Sequence, residues 1–326
     1  MPIEKRITEA LEARAMEAKR SPELDNRIGA WFAEQASMNK GGARMKKGRS
    51  KAAILAMVAL IAIVVTGFSA KYFFSIGDDR ILLNYATMDQ ARYEPELAAE
   101  ARSQVEEVRR QLAVGESALV YSKALNELLP NAVNLQLPTG VSNPFLYTDL
   151  KEWQLELQQQ VPGYRTFDAE ALGLAFINGK SERAFGEVIT PDQDEAVSQL
   201  REELKETDRA YVWKKLVDTG ANKRFPAYTS TYQNAQGQIF TIMMEVMKEK
   251  VVMKSLIQGK DMEEVNLNGK QALYGESHSI WFSPTDENRS LIFVDTQQDS
   301  SIIYTISSFA VDVTKEQLIA IGEQMK

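Results

Sequence analysis

The chain has no cysteine, and in 326 residues it has a single histidine, His278. Without thiols there is no disulfide framework, no thiolate metal centre and no cysteine nucleophile. A catalytic triad would have to be built around His278, and no G-x-S-x-G stands near it. H-E-x-x-H, P-loop and G-x-G-x-x-G patterns are missing as well, which removes the signatures of a metalloprotease, a nucleotide hydrolase and a dinucleotide enzyme. Adjacent acids such as Glu202-Glu203 and Glu263-Glu264 point in different directions on a helix or strand, so they read as solvated charge rather than an acid/base pair. The chain does not read as an enzyme, and no catalytic residue, cofactor or metal ligand is expected.

Basic residues are also scarce where a nucleic-acid-binding protein would need them. Residues 1–39 carry six bases and seven acids, residues 40–51 six bases and no acid, and the remainder 26 bases against 38 acids. Nearly all the excess negative charge therefore lies after residue 51. No basic stripe is present in the large C-terminal part, so direct nucleic-acid binding is not expected there.

What the chain does have is a single long apolar run. From Ala52 to Ala70 it reads AAILAMVALIAIVVTGFSA, nineteen residues without a charge, bounded by Lys51 and Lys71. As a helix rising 1.5 Å per residue it reaches about 28 Å, close to the thickness of a bilayer's hydrocarbon core. A helix buried in a soluble core is the competing reading, but the run has no polar face and directly follows a basic cluster. A cleaved signal peptide fits less well, because a fifty-residue leader is too long and the apolar stretch exceeds an ordinary h-region. Lys40, Arg44, Lys46, Lys47, Arg49 and Lys51 precede the run, whereas Lys71, Asp78, Asp79 and Arg80 follow it. By the positive-inside rule the N-terminus is cytoplasmic and the C-terminus extracytoplasmic. The expectation is a single-pass cell-membrane protein whose helix is flanked by Lys46, Lys47, Arg49, Lys51 and Lys71.

The residues before the run suggest a helical hairpin over 1–39, followed by the basic juxtamembrane segment 40–51. Ile3, Ile7 and Leu11 recur at steps of four, and Ser21-Pro22-Glu23 offers a cap, a first-turn proline and a first-turn acid for a second helix. That helix sets Leu24, Ile28, Trp31 and Phe32 on one face. A hairpin so small buries little apolar surface by itself. Trp31 and Phe32 either pack within it or on the inner leaflet, or they meet a cytoplasmic partner.

After the anchor the fold class reads as α+β. Residues 76–219 are expected to be mainly helical, with helices at Met88–Val114 (long and solvent-facing), Glu116–Leu129, Thr148–Val161 and Pro191–Val217. Leu137–Pro144 reads as loop, and Leu174–Lys180 as a short strand and turn. Residues 220–326 change texture. Ala227–Tyr232, Gln238–Lys248, Val265–Leu267, Gln271–Tyr274, Ser279–Phe282, Ser290–Asp295 and Ile302–Ser307 read as strands, with turns at 234–237 and Asn268-Gly269. Thr314 to Gln317 is a capping box that opens a closing helix. This part is expected to be an antiparallel sheet with a C-terminal helix laid on one face. Met243, Met244, Met247 and Met253 read as core filler, or alternatively as a soft-metal or lipid-binding surface.

Two stretches resemble known proteins. Asn268-Gly269 with Gln271-Ala272 and Tyr274, the strand Leu291–Val294, the strand Tyr304–Ile306 and the helix from Thr314 to Met325 resemble a small C-terminal domain of unknown function. That domain is found in membrane-anchored regulators and envelope proteins of Gram-positive spore-forming bacteria. Separately, Pro22-Glu23-Leu24 with Arg27-Ile28, then Gly41-Gly42, Met45-Lys46-Lys47 and one apolar helix, resembles the layout of transmembrane negative effectors of extracytoplasmic-function sigma factors. The resemblance implies a cytoplasmic segment that binds a sigma factor, an outer domain that senses the envelope, and release by proteolysis. The zinc-binding form of that family needs a histidine and paired cysteines, which this chain does not have. Two functions follow as expectations: an anti-sigma-like transmembrane regulator in signal transduction, or a membrane-anchored binding module for lipid, peptide or cell-wall ligand.

Overall fold

Among the described residues there are three β-sheets and five helices. The computed structural model describes residues 73–88, 94–128, 138–183, 194–216, 226–258, 261–278 and 282–326. The expected head, basic segment and transmembrane helix (residues 1–70) and Lys71 lie outside the described residues, and with them Leu24, Ile28, Trp31, Phe32, Lys46, Lys47, Arg49 and Lys51. Among the described residues no helix is long and apolar enough to cross a membrane.

The chain enters as a hairpin of β1 (Phe73–Gly77) and β2 (Ile81–Met88), and β2 also pairs in parallel with β10 (Val251–Gln258). The β1–β2 connection is closed locally. Asp78 accepts hydrogen bonds from the backbone N–H groups of Arg80 and Ile81 at 2.8 and 2.7 Å.

A second, smaller sheet has the order β4-β3-β7, with β3 (Ser117–Ser122) between β4 (Thr139–Ser142) and β7 (Tyr211–Lys215). One face carries α1 (Pro95–Gln111) and α2 (Lys123–Leu128), and the other α4 (Asp194–Glu206). The α1 residues Ala98, Ala101, Val105 and Val108 recur at helical spacing and are buried against Val120 and Leu125. The helix expected over 88–114 is therefore shorter and is not solvent-facing all round. From α4, Val197, Leu200 and Leu204 pack on Leu119, Tyr121 and Val212.

The helix expected at 116–129 is in fact the strand β3 followed by the single turn and a half of α2. Ser-Ala-Leu-Val-Tyr-Ser is covered on both faces, so five of its six residues are buried and period-2 alternation is erased. Similarly, the expected helix 191–217 stops at Glu206, and Tyr-Val-Trp at 211–213 continues as β7, in keeping with the preference of aromatic and β-branched side chains for strands. Residues 139–142, expected as loop, pair with β3.

The main sheet has eight strands in the order β11-β12-β13-β14-β9-β8-β6-β5, all antiparallel. Its members are β5 (Leu146–Tyr147), β6 (Leu174–Arg183), β8 (Pro226–Asn234), β9 (Ile239–Met247), β11 (Asp261–Leu267), β12 (Lys270–His278), β13 (Glu287–Thr296) and β14 (Ser301–Ser308). The antiparallel sheet expected after residue 220 is present. It also takes in β5 and β6, so the expected division between 219 and 220 falls between strands of one sheet. Of the strand expected at 279–282, only Phe282 is described, and it lies in a turn.

Two helices lie on one face of this sheet, α3 (Leu150–Gln160) and α5 (Lys315–Gln324). Asp149 caps the N–H groups of Lys151 and Glu152 at the start of α3, and Thr314 and Gln317 form the expected reciprocal capping box of α5. Trp153 and Leu157 of α3, and Leu318 and Ile321 of α5, share one core with Ile242, Met244, Leu291, Phe293 and Tyr304. Gly179 on β6 makes room for Trp153, since a Cβ there would lie 2.1 Å from the indole. The opposite face receives Ile81, Leu83 and Tyr85 of β2 and Val251 of β10, in the same core.

Candidate functional site

A buried polar cluster forms where the β1–β2 hairpin meets the end of the β13–β14 hairpin. Asp295 projects from the penultimate position of β13 with its side chain only 4% exposed. Arg165, from the segment after α3, reaches one carboxylate oxygen at 2.7 Å, Lys270 from the start of β12 binds the same oxygen, and Gln297 donates to the other at 2.7 Å. Burial pushes the Asp295 carboxyl up. The hydrogen bonds and charges of Arg165 and Lys270 outweigh that and hold it below the ordinary carboxylate range.

The same Arg165 ties down the chain end. Its N–H donates to the Tyr304 hydroxyl at 2.7 Å, its guanidinium reaches the Met325 carbonyl, and Thr166 and Lys326 exchange backbone hydrogen bonds. On the hairpin side, the second oxygen of Asp78 accepts from Thr296 at 2.7 Å and Ser301 at 2.6 Å, and Arg80 donates to Ser301 and the Gln298 carbonyl. Desolvation opposes the charge on Asp78 as well, and the hydroxyl and backbone donors still lower its pKa. Two carboxylates thus fasten three separate segments to one β-turn.

Beside this cluster an open cavity of about 310 Å³ is lined by Ile76 and Gly77 of β1, Lys270 and Gln271 of β12, and Val294, Asp295 and Thr296 of β13. The Lys270 side chain is 42% exposed, and an ammonium has three donors, of which Asp295 takes one. Arg165, Lys270 and Asp295 sum to one positive charge, so the cluster suits a small polar or anionic group. By contrast, the seam between α3 and the sheet, lined by Trp153, Leu157, Ile242 and Met244, leaves only about 30 Å³, which is room for about one water.

No local pattern of residues marks this cluster. Lys270 and Asp295 are 25 residues apart and Arg165 is 130 residues from Asp295, so only the β12–β13 register and the docking of the post-α3 segment bring them together.

The residues singled out in the sequence lie elsewhere. His278 ends β12 half-buried, its Nδ1 3.9 Å from Glu287. Met244 and Met247 are buried, Met253 packs against the same core, and Met243 is half-buried on the opposite side of β9 from Met244. The four do not form one surface. Glu263 is bound to Lys315 at 2.8 Å, whereas Glu202 and Glu203 are exposed on α4. Among the described residues no group of three or more His, Asp or Glu side chains is placed to hold a metal ion.

No family model, no curated protein and no solved structure matches the chain.

Proposed function

We propose that the protein is a single-pass transmembrane regulator of the anti-sigma-like kind, with residues 73–326 as an extracytoplasmic sensor and the face of Leu24, Ile28, Trp31 and Phe32 as the contact for a cytoplasmic regulator such as a sigma factor. The observation that carries this reading is the uncharged run Ala52–Ala70 directly preceded by residues 40–51, which carry six bases and no acid. What supports the sensor part is the position of the first described strand. That strand, β1, begins three residues after the run and lines the cavity beside Lys270. A ligand there would touch both the strand leaving the membrane and the main sheet, which is the place from which an outer event can bear on the anchor.

The test uses the full chain. Affinity capture should recover a sigma factor or another transcription component, and Trp31→Ala with Phe32→Ala should abolish that capture and change expression of the regulated genes. Capture of no such component, with gene expression indifferent to both substitutions, would refute the reading. A second reading, a membrane-anchored binding module for an envelope ligand, is favoured by the same open cavity. It expects ligand-dependent thermal stabilisation of the full chain that Lys270→Ala removes, with no effect on gene expression.

A further inference from the structure

The two ends of the main sheet are built differently. One end is closed by β5, a strand of only two residues. Short edge strands are one of the ways proteins deny a template to an incoming chain. The other end is β11, seven residues long, without proline, without lysine and with a regular register to β12 from Asp261↔Glu276 to Leu267↔Lys270.

That register fixes which backbone groups face outward. The turn has two residues, Asn268 at φ 51° and Gly269 at φ 88°, so Leu267 and Lys270 are a hydrogen-bonded pair. Every second residue repeats that state. Asp261, Glu263, Val265 and Leu267 spend their N–H and C=O groups on β12, and Met262, Glu264 and Asn266 turn theirs away from it. Among the described residues no strand pairs with that side.

The side chains along the edge are equally specific. Met262 packs 3.5 Å from the place a Cβ would take on Gly275, and beside it Glu264 is exposed. On the other face Val265 packs against the core under α5, and Glu263 is already neutralised by Lys315 at 2.8 Å. Among the described residues Glu264 has no oppositely charged partner on one face of the edge, and Val265 is an apolar neighbour on the other.

We infer that β11 is a docking edge for an extended peptide segment of another protein, which adds as a ninth strand with a lysine or arginine opposite Glu264 and an apolar side chain beside Val265. Main-chain hydrogen bonds from Met262, Glu264 and Asn266 supply affinity, and the alternating side chains supply selectivity. A second copy of this chain is the less suitable occupant. The self-paired register that uses all three outward residues of both copies sets Glu264 against Glu264, and like charges directly opposite are destabilising. This inference does not depend on what the N-terminal segments bind.

The test takes the full chain in detergent micelles with two synthetic nine-residue peptides, one alternating valine with lysine and one alternating valine with glutamate. The lysine peptide should bind on the order of tenfold more tightly than the glutamate peptide, and it should slow hydrogen exchange at the amides of Met262, Glu264 and Asn266. Glu264→Lys should reverse the preference. Glu264→Pro should abolish binding without lowering the melting temperature, because proline at an outward-facing edge position removes no ladder bond. Equal affinities for the two peptides, binding that survives Glu264→Pro, exchange protection elsewhere than at β11, or self-association through this edge in place of peptide binding would each overturn the inference.

Discussion

Single side chains in this protein act mostly through the room they leave or the charge they balance. Gly179 is required by the bulk of Trp153, whose indole N–H donates to Ser230 Oγ at 2.8 Å inside the core. Gly179→Ala would force the ring off that bond, and we expect a loss of about 1–3 kcal/mol in urea unfolding; an unchanged midpoint would mean that the ring relocates freely. Asp295 offers a test by pH. Its carboxyl is depressed in the folded state, so its contribution is present above the unfolded value near 3.9 and is lost as pH falls through the lower folded value. Stability should therefore decline on acidification below about pH 4. Asp295→Asn should be less stable at neutral pH, because Arg165 and Lys270 lose their shared partner, and should decline less steeply. Parallel pH profiles for the two proteins would contradict the assignment.

At the scale of elements, local chemistry and tertiary cover pull in separate directions. Helices α3 and α5 start where Asp149 and Thr314 cap them, and the Asn268-Gly269 hairpin adopts the positive φ values its two residues tolerate. Each of these features was readable from four or five consecutive residues. Thr314→Ala should cost about 1 kcal/mol, measured by chemical denaturation, and should free the backbone amide of Gln317 to exchange faster; no change in either would show that packing of Leu318 and Ile321 alone holds the helix start. β3 was not readable in this way. Its Ala-Leu-Val-Tyr run is buried on one side by α1 and α2 and on the other by α4, which is far from them along the chain, so its sequence has no alternation to distinguish it from a buried helix. The edges differ too: only the register of β11 identifies Met262, Glu264 and Asn266 as outward-facing.

Taken as a molecule, the described part does not divide at residue 219: the core of the main sheet is built from both sides of that position, whereas the small sheet packs its two faces in cores of its own. The core under the main sheet draws Ile81, Leu83, Trp153, Leu157 and Leu174 from before residue 219 and Phe240, Leu291, Tyr304 and Ile321 from after it. Residues 220–326 expressed alone should therefore fail to unfold cooperatively and should bind a hydrophobic dye, whereas in 73–326 the main sheet should unfold in a sharp transition. A cooperative transition in the shorter fragment would restore the boundary. By itself the sequence determined the features that depend on neighbouring residues: the uncharged run with its basic flank, the capped helix starts, the tight turns and most strands after residue 226. Only the tertiary structure decided that β2 and β10 pair in parallel across more than 160 residues, and that Arg165, Lys270 and Asp295 share one buried carboxylate. Pairings of that kind follow from which apolar faces cover one another, and a periodic pattern does not name its partner.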